Sequence, residues 1–90
     1  MGLEDVIKTN IGPILWVDDL THNRTGYTLD KRYTREEYEA EVEKIKVAIK
    51  KLGIKGKVKG FYSGSNDENT PIKICIIVTN KWLNGFNQGR

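Results

Sequence analysis

Residues 34–53 read TREEYEAEVEKIKVAIKKLG, and the fold follows from this stretch. Tyr38, Val42, Ile45, Ile49 and Leu52 are spaced by four, three, four and three, which gathers them into one stripe of an α-helix. Thr34 stands at the N-cap with Glu37 three residues on, a capping box in which each side chain takes the other's orphan amide. Tyr33 and Tyr38 occupy the two staple positions around that cap. Glu36, Glu37, Glu39, Glu41 and Glu43 fill the first half, and Lys44, Lys46, Lys50 and Lys51 the second, signs that complement the helix dipole. Gly53 supplies a left-handed stop, with Ile54 placed to close a hydrophobic contact beyond it. The stripe spans too few heptads for a coiled coil, so the helix Arg35–Leu52 covers a domain core.

On the N-terminal side, Leu3, Val6 and Ile7 have the spacing of one or two helical turns, ended by Gly12-Pro13. Ile14 to Val17 is a short strand rich in β-formers. Asp18 to Gly26 reads as a polar turn tipped by Asn23 and Thr25-Gly26, and Tyr27 to Tyr33 as the second strand of a hairpin. On the C-terminal side, Lys57 to Ser63 is a third strand, Ser63 to Pro71 a polar loop expected to be mobile, and Ile72 to Thr79 a fourth strand. Ile72, Ile74, Ile76 and Val78 share the core face of that last strand. The expected fold is α+β: a small antiparallel sheet in the order β-β-α-β-β packed on one long amphipathic helix, with a short N-terminal helix. All 90 residues form a single domain.

Composition narrows the functional classes. Fifteen Lys and Arg against 12 Asp and Glu give a net charge of +3, which permits an acidic partner without demanding one. A single cysteine, Cys75, excludes an intrachain disulfide and points to a reducing, cytoplasmic setting, with the thiol buried in its apolar run. One His and one Cys do not make a zinc site, and no metal or cofactor is implied. The longest strongly apolar run, Ile74–Val78, is far too short to span a bilayer, and the acidic N-terminus does not read as a secretory signal. His22 is alone in a polar turn near Asp18 and Asp19, no serine sits in a nucleophile elbow, and no glycine-rich phosphate loop is present. The sequence therefore reads as a binding module and not as an enzyme.

Two surfaces stand out for binding. Lys57, Lys59 and Phe61 alternate onto one face of the third strand, and Lys73 points the same way from the fourth. With Lys50, Lys51 and Lys55 they form a basic region in which lysines meet phosphates and Phe61 offers a base a stacking surface. The alternative is a protein-binding inhibitor or adaptor, of the kind that small phage or viral proteins use to block a host factor. It would act through Trp82 and Phe86 or the charged helix face. Docked against the sheet, those two aromatics complete a thin core, and docking is the expectation.

Three short resemblances accompany these readings. Ile14 to Asp19 resembles the first strand and acidic pair of response-regulator receiver domains, which alternate strands and helices over a longer chain and need a later phospho-accepting Asp that is missing here. Lys59-Gly60-Phe61 resembles the opening of the RNA recognition motif's signature strand over three residues, with Ser63 where that family has its second outward aromatic. Ile14 to Leu52 loosely resembles the arm-type DNA-binding domains of phage integrases, although Gly12-Pro13 interrupts the only candidate for their third strand. No family function is carried over from any of them.

Overall fold

A computed structural model describes residues 2–62 and 71–88, with Phe61 and Tyr62 as backbone only. The elements run α1 (Leu3–Asn10), β1 (Ile14–Leu20), β2 (Arg24–Tyr33), α2 (Arg35–Lys51), β3 (Gly56–Tyr62), β4 (Ile72–Thr79) and α3 (Asn80–Gln88). The four strands form one antiparallel sheet in the order β1-β2-β4-β3. The α+β class and the β-β-α-β-β succession are as the sequence indicates. Most of the loop read from Ser63 onward lies outside the described residues.

α2 forms for the reasons its sequence gives. The Thr34 hydroxyl accepts from the Glu37 amide at 3.2 Å, and the Glu37 carboxylate accepts from the Thr34 amide at 2.9 Å. At the other end Gly53 adopts φ 75°, and the Ile54 and Gly53 amides donate to the carbonyls of Ile49 (2.8 Å) and Lys50 (3.2 Å). That pair of bonds is a Schellman stop, and Ile54 is buried behind it. Val42, Ile45 and Ile49 are buried, with Tyr38 and Leu52 half-buried at the two ends of the stripe.

Register shows which face the helices cover. Tyr27 pairs with Ile76, Thr25 with Val78 and Val58 with Ile76, so these side chains share one face with Ile72 and Ile74. Ile74 and Ile76 are fully buried there, each contributing about 1.5–3 kcal/mol of transfer free energy. Leu3 and Ile7 of α1 and the stripe of α2 join the same cluster, with Trp82, Leu83 and Phe86 of α3 packed against it. Three helices thus lie on one face, and among the described residues the other face of the sheet carries no second layer.

Two expectations about local structure are corrected. The hairpin turn is Thr21-His22-Asn23, earlier and tighter than the one placed around Asn23–Gly26, and β1 runs on to Leu20. His22 (φ 61°) and Asn23 (φ 56°) both take left-handed backbone, which Asn and His tolerate better than most residues. The C-terminal segment, whose sequence shows no clear period, is a helix. Trp82 N–H donates to the Thr79 hydroxyl at 3.3 Å, and Thr25 Oγ1 donates to Asn80 Oδ1 at 2.5 Å. The Leu3 amide donates to Asn87 Oδ1 at 3.0 Å and ties α3 to α1.

Candidate binding surface

The lysines of the basic region divide into three settings. Lys50, Lys55, Lys57 and Lys59, together with Lys46, line a groove of about 470 Å³ between the second half of α2 and the edge strand β3. Its floor is apolar, made by Ile49, Ile54 and Val58. The geometry has a simple origin: α2 delivers Lys46 and Lys50 one turn apart, the Schellman stop reverses the chain, and β3 returns antiparallel to β4 along the edge of the sheet. Lys50, Lys51, Lys55, Lys57 and Lys59 are all exposed, and among the described residues none of them ion-pairs with a carboxylate. Lys46 holds only a loose 3.8 Å contact with Glu43. A second depression of about 410 Å³ continues the groove around the end of β3 and adds Arg24. Lys51 is exposed on α2 outside the groove lining.

Lys73 is in a different setting, and here the expectation from the sequence is corrected. It does belong to the open face, paired with Arg32 on one side and with Phe61 on the other, but only 7% of it is exposed. Its ammonium lies over the ring of Trp16, 5.2 Å from the centroid, a cation–π contact. Strand alternation puts a lysine outward; it does not show that an indole from two strands away covers it. Phe61 enters the open face through its backbone pairing with Lys73, and its side chain lies outside the described residues.

The residue that sequence reasoning missed is Trp16. Register aligns Trp16, Thr28, Cys75 and Lys59 in one row across the open face. The next row holds Asp18, Gly26, Ile77 and Lys57. Thr28 and Cys75 are 1% and 8% exposed although no helix among the described residues covers them, and side chains of their own face contribute to the cover. Leu20 is one of these: a Cβ built on Gly26 would come within 3.0 Å of both Leu20 Cδ1 and Cys75 Sγ. Burial pushes the Cys75 thiol above its ordinary 9.0, which disfavours the nucleophilic thiolate.

The protein-binding alternative names Trp82 and Phe86 or the charged helix face. The two aromatics are half-buried, stacked on each other at 5.0 Å with a 33° tilt, and packed against the core. Docking leaves each only part of its surface to offer a partner. Exposed large apolar side chains gather instead on the opposite edge strand, at Leu15, Trp16 and Val17. His22 is exposed at the hairpin tip, and no cluster of three or more metal-ligating side chains occurs among the described residues. No helix among the described residues is long and apolar enough to cross a membrane. Compared with known protein families, with curated proteins and with solved structures, the chain matches none.

Proposed function

We propose that this domain is a non-enzymatic binding module for nucleic acid, and that the lysine groove between α2 and β3 holds the phosphate backbone. The observation that carries this reading is the convergence of Lys46, Lys50, Lys55, Lys57 and Lys59 on one groove with almost no carboxylate to neutralise them among the described residues. Like charges gathered without partners cost the folded state free energy through mutual repulsion, and a polyanion removes that cost on binding. The net charge of +3 understates the effect, because the carboxylates of α2 sit in its first half and, among the described residues, only Glu43 reaches a groove lysine, Lys46, at 3.8 Å.

The test is Lys57→Glu with Lys59→Glu, two exposed positions whose substitution leaves the core untouched. Affinity for DNA or RNA at low salt should fall strongly. The slope of log K against log salt should shrink by about one unit for each phosphate that the variant no longer neutralises. A domain that binds neither single nor double strands at low salt would sink the proposal. The exposed Leu15–Val17 edge would then make a protein partner the leading reading.

A further inference from the structure

We infer that the open sheet face is a stacking platform centred on Trp16, and that the ligand is therefore single-stranded. This deepens the nucleic-acid reading and rests on it. In a duplex the faces of the bases are stacked on one another and closed to a side chain, whereas a single strand can lay a base on an aromatic ring. What singles out Trp16 is its arrangement.

Trp16 is 39% exposed, while Thr28, Cys75 and Lys73 on the same face are buried. Lys73 is buried with its ammonium over the ring, which gives the indole a support on one side and restricts its orientation. Thr28, the direct cross-strand neighbour of Trp16, is 1% exposed, so the sheet surface next to the ring is filled. A large aromatic held in place beside a filled surface, partly open to solvent, is what base stacking requires.

The charges around it are arranged for a strand crossing the sheet. The row that starts at Trp16 ends at Lys59, which also lines the lysine groove. Three strand spacings separate them, about 14 Å. Arg32 flanks the row on β2, exposed and paired with Lys73. Asp18, one row over, is the carboxylate of this face nearest Trp16 on β1, and Lys57 ends the same row. A single strand with one base on Trp16 can thus run its phosphates toward Lys59 and into the groove. Buried Cys75 and Thr28 make the floor between them.

The test uses the full chain with Trp82→Phe, which leaves Trp16 as the only tryptophan. Its emission is followed while oligothymidylate, or a duplex of the same length, is added at low salt. Single strands should quench Trp16 and the duplex should leave it nearly unchanged. Trp16→Ala should weaken single-strand binding by about tenfold or more and alter duplex binding less than twofold, while Trp16→Phe keeps most of the affinity. The quenching experiment needs no change at Trp16, so it stands even if Trp16→Ala fails to fold.

Any of four results would overturn the inference. Binding without quenching, or with affinity for both nucleic acids weakened equally, leaves the lysine groove as a phosphate site and removes the platform. No binding to either nucleic acid removes both readings. Concentration-dependent self-association that Trp16→Ala abolishes would make this face a contact between copies of the chain.

Discussion

Gly60 is where the packing of α2 on the sheet is most exposed to a single added atom. It sits in β3 opposite Ile74, and Tyr38 from the first turns of α2 lies across it. A Cβ built there would come 2.5 Å from Tyr38 Cζ and 2.6 Å from its hydroxyl oxygen. Gly60 has no positive φ, so alanine suits the backbone and the whole penalty is steric. Overpacking of this kind costs about 1–3 kcal/mol. Replacing glycine at a compatible φ,ψ returns about 0.4–1 kcal/mol by restricting the unfolded chain. Gly60→Ala should therefore destabilise the domain by about 1–2 kcal/mol net, which lowers the urea midpoint by roughly 1 M for a domain of this size. The decisive measurement is the double-mutant cycle with Tyr38→Leu, which deletes the ring atoms that clash. In that background Gly60→Ala should be neutral, or stabilising by about 0.4–1 kcal/mol. An equal loss of stability in both backgrounds would refute the steric argument.

The capping box predicts two further effects. Thr34→Ala should cost roughly 1 kcal/mol in chemical denaturation, and an unchanged midpoint would show that the cap is elsewhere. The Glu37 carboxylate is held below its ordinary 4.5, first by the Thr34 amide that donates to it. Its contribution is present above the unfolded value and is lost as pH falls through the lower folded one, so Glu37→Gln should flatten the acid limb of the stability profile. The alkaline limb has the opposite sign. Burial raises the Cys75 thiol above 9.0 and the Tyr27 and Tyr33 hydroxyls above 10.0, so their contribution is full below those values and lost as pH rises through the folded ones. Cys75→Ala should remove the earliest part of that loss, read from urea midpoints between about pH 8 and 11.

The parts of this fold legible in the sequence are those where one period dominates. α2 announced its stripe, its cap and its stop, and β4 its core face through strict alternation. β1 did not, because Ile14-Leu15-Trp16-Val17 is apolar at every position and alternation assigns no face. A register shift between Ile14 and Trp16 breaks the period there as well. Trp16 was hidden for that reason. α3 was hidden by composition: Asn80, Asn84, Gly85 and Asn87 are weak helix formers, and a local cap at Thr79 together with tertiary bonds from Thr25 and the Leu3 amide supplies what propensity lacks. The lysine groove was half legible. Lys50 to Lys59 are dense in the sequence, but that Lys46 joins them depends on the chain reversal at Gly53.

The strand order carries a consequence for how the chain acquires its structure. β4 lies between β2 and β3, so the two earlier strands have no partner in common until the last strand arrives. The bonds it then makes are distant ones, such as that between Thr25 and Asn80, 55 positions apart. Loop closure over such spans costs entropy before the new bonds offset it, which slows folding relative to a meander of the same size. On a ribosome, the hairpin and α2 emerge while the apolar faces of Tyr27, Leu29 and the helix stripe are still uncovered. Until β4 pairs with them those apolar faces lack their sheet partner, and uncovered apolar surface of this kind is where a nascent chain is prone to aggregate.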